Sequence, residues 1–159
     1  MDVVVDTDIL STLLKVRRPA LIRELFPKST VFFCLAVVSE IHRAAELGMI
    51  SETRHELSAM KLTRAEKVIA KEIGRRPALG RADCECLAVA QFRLSLLLSN
   101  DRAVRGEAFS RGVDVMSLPQ LLRALWRTGT MKKEGVAELA EEIEKKDNVM
   151  FKDRRLIFE

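Results

Sequence analysis

Two short apolar runs in this chain each end in carboxylates. The first run, residues 3–5, is followed by Asp6 and Asp8, and the second, residues 96–98, is followed by Asp101. Continuous aliphatic runs bounded by polar residues are typical of buried parallel strands. Because helical patterns lie between the two runs, an α/β arrangement brings these carboxylates to the carboxyl edge of one sheet. Open α/β sheets bind their ligands at that edge.

Two further acids belong to the same alternation of strands and helices. Glu40 and Asp83 both lie near the starts of predicted helices. Several anions brought together at one edge repel one another unless a divalent cation neutralises them. The sequence therefore predicts a metal site.

Each acid also has a purely structural interpretation. An Asp between a strand and a helix is a good N-cap, and this applies to Asp6, Asp8 and Asp101. Asp83 falls in a first helical turn, where an acid stabilises the helix by its interaction with the positive end of the helix dipole. Glu40 lies close to an apolar face, and glutamate is seldom buried without a partner or a metal. The joint occurrence of these acids at one sheet edge favours a functional site over separate caps.

The composition narrows the class of protein. The chain has 159 residues, 48% of them hydrophobic and 31% charged, which is typical of one soluble globular domain. A net charge of +4 permits nucleic-acid binding without requiring it. One Trp, seven Phe and no Tyr argue against base-stacking platforms of the RRM or OB kind. Three cysteines without a signal peptide predict a reducing, cytoplasmic location, and no apolar stretch predicts a membrane span.

The alternation of patterns predicts a three-layer α/β/α domain whose central, mainly parallel sheet has four to five strands. The predicted strands are residues 2–5, 31–33, 95–98 and 113–116. The predicted helices are residues 8–15, 19–26, 36–47, 51–58, 63–73, 82–93, 102–111, 117–128 and 134–146. Thr63 and Glu66 form a capping-box pattern, and the helix at 82–93 is predicted to be amphipathic.

The chain divides into two predicted parts. Residues 1–128 are expected to form the α/β domain, and residues 129–159 a helical C-terminal extension. The helix at 134–146 has one apolar stripe, formed by Val136, Leu139, Ala140 and Ile143. The extension is expected to pack on the domain or on a dimer partner, and the sequence leaves both placements open.

Four short motifs resemble those of the PIN-domain ribonucleases. Residues 3–10 (VVVDTDIL) resemble the opening of that family, and residues 37–41 (VVSEI) resemble the segment that carries its second acid. Asp83 resembles the third acid of the family. Residues 98–102 (LSNDR) are similar to the fourth motif of the family, a strand followed by Thr/Ser-x-Asp/Asn. The resemblance covers about residues 2–128, and the tail is similar to extensions in some archaeal-type members.

The resemblance implies an endoribonuclease that depends on Mg²⁺ or Mn²⁺ and cuts RNA at a carboxylate cluster. The implied catalytic and metal-binding residues are Asp6, Glu40, Asp83 and Asp101, with Asp6 and Asp101 as the principal ligands. Asp8 and Glu85 are further candidate ligands. Glu85 is a second acid two positions after Asp83, so the sequence leaves open which of the two is the third metal-binding acid.

Four more residues are candidates for supporting roles. Ser99 is expected to hold the Asp101 carboxylate by a hydrogen bond, or only to satisfy a strand end. Arg81, Arg102 and Arg105 flank the acids and are candidates for RNA-phosphate contacts, although each also fits an ordinary solvated helix charge.

Other functions stay open on the sequence alone. A haloacid-dehalogenase-like phosphatase also begins with a strand and Asp-x-Asp, which Asp6 and Asp8 match, but that family requires a Thr where this chain has Leu10. A non-catalytic PIN-fold RNA-binding subunit is a second alternative, and an α/β domain whose acids are only caps is the baseline. For a nuclease, the resemblance implies RNA as substrate, a homodimer and, for a toxin nuclease, a small antitoxin protein as partner.

Overall fold

A five-stranded parallel sheet forms the centre of the computed structural model, which describes residues 1–50 and 59–159. The strand order is β3-β2-β1-β4-β5, and every neighbouring pair is parallel. The strands are β1 (Val3–Val5), β2 (Val31–Cys34), β3 (Ala59–Met60), β4 (Leu96–Leu98) and β5 (Val115–Met116). Helices flank the sheet, which confirms the predicted three-layer α/β/α architecture.

The helices follow the predicted alternation. They are α1 (Thr7–Lys15), α2 (Leu21–Leu25), α3 (Leu35–Glu46), α4 (Arg64–Ile73), α5 (Arg81–Arg93), α6 (Arg102–Ser110), α7 (Leu118–Arg127), α8 (Lys133–Lys146) and α9 (Arg155–Phe158). The helix predicted at 51–58 lies outside the described residues. The sequence did not predict β3 or α9, because so few residues carry little periodicity. Within the described ranges, no helix is long and apolar enough to cross a membrane.

The central strand β1 is the most protected part of the sheet. Its three valines are at most 1% exposed: β2 and β4 pair with its two edges, and α5 packs against it. The register pairs Val5 with Leu98, so β1 and β4 end at the same level. The residues that follow these two strands therefore meet at one edge.

Helix α5 corrects one sequence prediction. It was expected to be amphipathic, yet Ala82, Cys84 and the whole run from Cys86 to Ala90 are buried. The helix packs on the sheet and is also covered by α3 and α4, so little of its circumference meets water. Its buried residues therefore do not keep to one helical face.

A partly buried ion pair connects α4 to α5. The predicted capping box at Thr63 and Glu66 is confirmed, with the Thr63 N–H donating to Glu66 Oε2 at 2.8 Å. The same carboxylate accepts from Arg93 Nε at 2.6 Å, and the Arg93 guanidinium lies 5.0 Å from the Phe32 ring centre. Burial alone would raise the pKa of Glu66, but the bonds from Arg93 and Thr63 outweigh burial and lower it.

The C-terminal segment packs on α1 and α7 of the same chain. The Asp147 carboxylate accepts hydrogen bonds from Thr12 and, at 2.5 Å, from Lys15. Further along, the Trp126 indole N–H donates to the Ile157 carbonyl at 2.7 Å. These contacts connect Asp147, after α8, and Ile157, in α9, to helices formed by the first 127 residues.

Candidate active site

The ends of β1 and β4 are joined through Ser99. The Asp6 N–H donates to the Leu98 carbonyl at 3.0 Å, which sets the two chain ends side by side. The buried Ser99 hydroxyl donates to Asp6 Oδ2 at 2.9 Å and accepts from the Asp101 N–H at 3.2 Å. The prediction that Ser99 would hold the Asp101 carboxylate is therefore wrong, because its hydroxyl holds the Asp6 carboxylate instead.

Two of the acids do cap helices, as the structural interpretation predicted. Asp6 is the N-cap of α1 and accepts from the Thr7 N–H at 2.8 Å. Asp101 is the N-cap of α6 and accepts from the Val104 N–H at 3.0 Å. A carboxylate has about four lone-pair sites, so a cap does not exhaust its capacity as a ligand.

Asp8 ties the loop after β1 to the loop after β4. Its Oδ1 accepts from the Ile9 N–H at 2.7 Å and its Oδ2 from the Asn100 N–H at 2.9 Å. Asn100 in turn accepts from the Leu118 N–H at 3.2 Å, which connects α7 to the same edge. Sequence reasoning gave Asn100 no role, although it lies between Ser99 and Asp101 in the fourth motif.

Glu40 reaches the cluster from α3, but it is not buried. Its side chain is exposed, so the burial argument made for it from the sequence does not hold. Glu40 Oε2 accepts a 2.6 Å hydrogen bond from the Thr7 hydroxyl, which joins α3 to the first turn of α1. Thr7 lies between Asp6 and Asp8 and was also given no role from the sequence.

The structure separates the two acids at the start of α5. Asp83 accepts from the Gly80 N–H at 2.9 Å and interacts electrostatically with Asp101 and Glu40. Glu85 accepts from the Ala36 N–H at 3.0 Å, near the start of α3. Its other oxygen lies 3.5 Å from Nε of Arg81. Asp83 therefore belongs to the carboxylate cluster, whereas Glu85 serves as a cap for α3.

Burial, together with mutual repulsion, raises the pKa values of three of the acids. Burial, followed by the charges of Asp8 and Asp83, raises the pKa of Asp6 to about 7. Burial, with Asp101 and Asp83, raises the pKa of Asp8 to about 6. The pKa of Asp83 is raised by burial and by Asp101 and Glu40. No lysine or arginine is among the main influences that the described residues exert on these three pKa values.

The donor set fits a hard divalent cation in its chemistry. Carboxylate oxygens are the ligands that Mg²⁺ and Mn²⁺ prefer, and a cation would neutralise the repulsion between these acids. As the side chains stand, no group of three acidic, histidine or cysteine residues in ranges 1–50 and 59–159 converges closely enough to hold one ion. Ligation therefore requires side chains of the cluster to turn, and Glu40 and Asp101 are exposed.

The three candidate arginines lie on the surface near the cluster. The Arg81 side chain is 81% exposed even with Glu85 beside it. Arg102 and Arg105 are exposed on α6, which begins directly after Asp101. Their contacts with RNA phosphate stay predictions.

Comparison with known proteins assigns the family. A family model described as a PIN domain matches residues 2–156, so the chain belongs to the PIN-domain family. PIN domains are generally nucleases and generally use divalent metals. The match confirms the resemblance stated from the four motifs and removes the support for a haloacid-dehalogenase-like phosphatase. No curated protein matches the chain.

Proposed function

We propose that this chain is an endoribonuclease that requires Mg²⁺ or Mn²⁺ and hydrolyses RNA phosphodiester bonds. The observation that carries the proposal is the buried, uncompensated charge at the sheet edge. Asp6 is 2% exposed there, and burial, followed by the charges of Asp8 and Asp83, raises its pKa to about 7. A buried carboxylate that no described lysine or arginine neutralises destabilises a fold, so its presence at a ligand-binding edge supports a role in binding a cation.

The proposed ligands follow from how each carboxylate is held. Asp6 and Asp101 are the principal ligands, and Glu40 and Asp83 complete the site or orient water. In this proposal Asp8 positions the loop after β4, since both of its oxygens accept backbone N–H groups. When bound, a divalent cation makes a water molecule easier to deprotonate and stabilises charge on the leaving oxygen.

The chain's own residues hold the cluster for this chemistry. Ser99 and the Thr7 N–H donate to Asp6, which favours its ionised form and fixes its orientation. The Thr7 hydroxyl holds Glu40, whose exposed carboxylate is accessible to a water molecule that attacks the phosphorus. Thr7 thus contacts two of the four proposed catalytic acids.

The first experiment compares cleavage of a structured RNA by the wild type and by Asp6→Asn, with Mn²⁺, Mg²⁺ or a chelator. We expect cutting that needs the metal and is abolished in Asp6→Asn. Asp114→Asn, at an exposed position before β5, is the matched control and retains cutting. Wild-type activity in a folded Asp6→Asn would contradict the assignment. RNA binding without any cutting by the wild type would instead favour the non-catalytic PIN-fold subunit.

The finer consequences of the resemblance stay predictions. They are a role as the toxin of a toxin–antitoxin pair with a small antitoxin as partner, a homodimer, and a cytoplasmic location. The division of the chain near residue 128 is also a prediction, and the family match runs across that boundary. Light scattering on the purified chain tests the homodimer.

A further inference from the structure

A groove of about 420 Å³ lies at the α4–α5 hairpin, next to the proposed active site. Its walls combine apolar and cationic side chains: Leu62, Ala70, Leu79, Lys67, Lys71 and Arg81. Small-ligand sites usually measure about 300–1,000 Å³ and combine an apolar lining with a few polar groups. The groove therefore has the size and lining of a site for a small organic group with a charged substituent.

Arg81 connects this groove to the carboxylate cluster. A second groove, of about 280 Å³, is lined by Arg81 together with Ser39 and Glu40. Arg81 borders both grooves, so the first groove lies one side chain away from the groove that Glu40 lines. The first groove is therefore close enough to the cluster to hold a part of the same ligand.

The charge of the first groove favours an anionic ligand. Lys67 and Lys71 are exposed one turn apart on α4, and neither forms an ion pair within the described part of the chain. Among the described residues, the acid that borders the groove is Glu85, which is already held by Arg81 and the Ala36 N–H. The unpaired charge that these residues present to the groove is therefore positive.

We propose that this Lys67–Lys71 groove binds one nucleotide of single-stranded RNA beside the cleaved phosphodiester. The base packs against Leu62, Ala70 and Leu79, and a flanking phosphate lies towards the two lysines. A single strand is required because bases stacked within a duplex are not available to a groove of this kind. The assignment deepens the proposed ribonuclease function and rests on it.

Binding of a fluorescein-labelled, short single-stranded RNA in chelator tests the groove without relying on cleavage. We expect Lys67→Gln/Lys71→Gln to bind about tenfold more weakly, with a salt dependence shallower by about 0.7 log units per log unit, the value for one phosphate contact of a single strand. The matched control is Lys145→Gln/Lys152→Gln, which removes the same charge from two exposed lysines outside both grooves. Its affinity is expected to stay within about twofold of wild type.

A second variant tests the apolar wall without any change in charge. Ala70→Leu fills the groove, whereas Ala65→Leu adds the same atoms at an exposed position of the same helix outside the groove. We expect only Ala70→Leu to weaken binding of the single strand, with both variants folded by circular dichroism. Duplex RNA should bind equally to both.

Three outcomes would overturn the proposal. One is an equal loss of affinity in both lysine pairs, which would mean general attraction to the surface. Another is cleavage by Lys67→Gln/Lys71→Gln with an unchanged KM, which would leave the nuclease assignment intact. The third is displacement of the RNA by polyglutamate with no effect of Ala70→Leu, which would indicate an acidic polypeptide as occupant. Absence of metal-dependent cutting by the wild type would count against the nuclease, while the chelator measurement would still report on the groove.

Discussion

The Ser99 hydroxyl lies 2.9 Å from Oδ2 of Asp6 and joins the carboxyl ends of β1 and β4. Both side chains are buried, so this bond is formed away from water, where losing it costs more than at the surface. Burial raises the pKa of Asp6, and among the interactions that oppose this rise the hydrogen bond from Ser99 has the largest effect. The same contact therefore supports the fold and the ionised state of the proposed ligand.

Replacing Ser99 by alanine should lower stability more at pH 8 than at pH 5. At pH 8 Asp6, with its pKa of about 7, is mostly ionised and loses a charge-assisted hydrogen bond of about 2 kcal/mol. At pH 5 the protonated carboxyl loses less. Urea unfolding in chelator at the two pH values measures the difference. Ser29→Ala, before the amino end of β2, is the control, and an equal loss of stability at both pH values in Ser99→Ala would contradict the argument.

The metal-free protein should become less stable as pH rises through the range set by Asp6. Folding raises the pKa of this carboxyl from 3.8 to about 7, so the folded state favours the protonated form. The stability that this gives is complete below pH 3.8 and is lost as pH rises through about 7, a change of about 4 kcal/mol at most. Asp6→Asn should be less sensitive to pH over that interval and more stable than wild type at pH 8.

Thermal unfolding in chelator between pH 4 and pH 8 checks this dependence. Asp114→Asn controls for the loss of one negative charge at an exposed position. Parallel profiles for the wild type and Asp6→Asn would show that Asp6 is not the group responsible.

Stabilisation by Mn²⁺ should show the opposite trend and grow from pH 5.5 to pH 8, because the cation competes with protons for the carboxylates.

The two main strands and the acids that follow them could be predicted because both depend on local pattern. The aliphatic runs before Asp6 and Asp101 are strands of one parallel sheet, as the alternation with helices predicts. That β1 and β4 are direct neighbours was not predicted, because strand order depends on how distant segments pack. The partner of Ser99 and the exposure of Glu40 could not be predicted, since both depend on how separate segments pack. The same holds for α5, whose burial comes from α4 and α3 rather than from its own periodicity.

Removing the charge of Asp83 and removing the charge of Glu85 should have different effects on stabilisation by Mn²⁺ and on cleavage. Asp83 interacts with Asp101 and Glu40, so Asp83→Asn should reduce the stabilisation by Mn²⁺ and cleavage together. Glu85 caps the start of α3 through Ala36, so Glu85→Gln should cost about 1 kcal/mol of stability and keep the response to Mn²⁺. Thermal shifts with and without Mn²⁺ compare the two variants. The opposite pattern would make Glu85 the third acid.

Asp147 should contribute more to stability than a surface acid on the same segment. Its carboxylate accepts from Thr12 and Lys15 of α1 and is 11% exposed, so Asp147→Asn removes an ion pair that is partly shielded from water. We expect a loss of about 1–2 kcal/mol in urea unfolding. Glu142→Gln breaks the i,i+4 pair with Lys146, whose two side chains are 42% and 48% exposed, and should cost at most about 0.5 kcal/mol. Equal losses of stability in the two variants would mean that the contact between α1 and Asp147 stabilises the fold no more than a solvated ion pair. RNA cleavage by both variants should match wild type, because neither residue belongs to the carboxylate cluster.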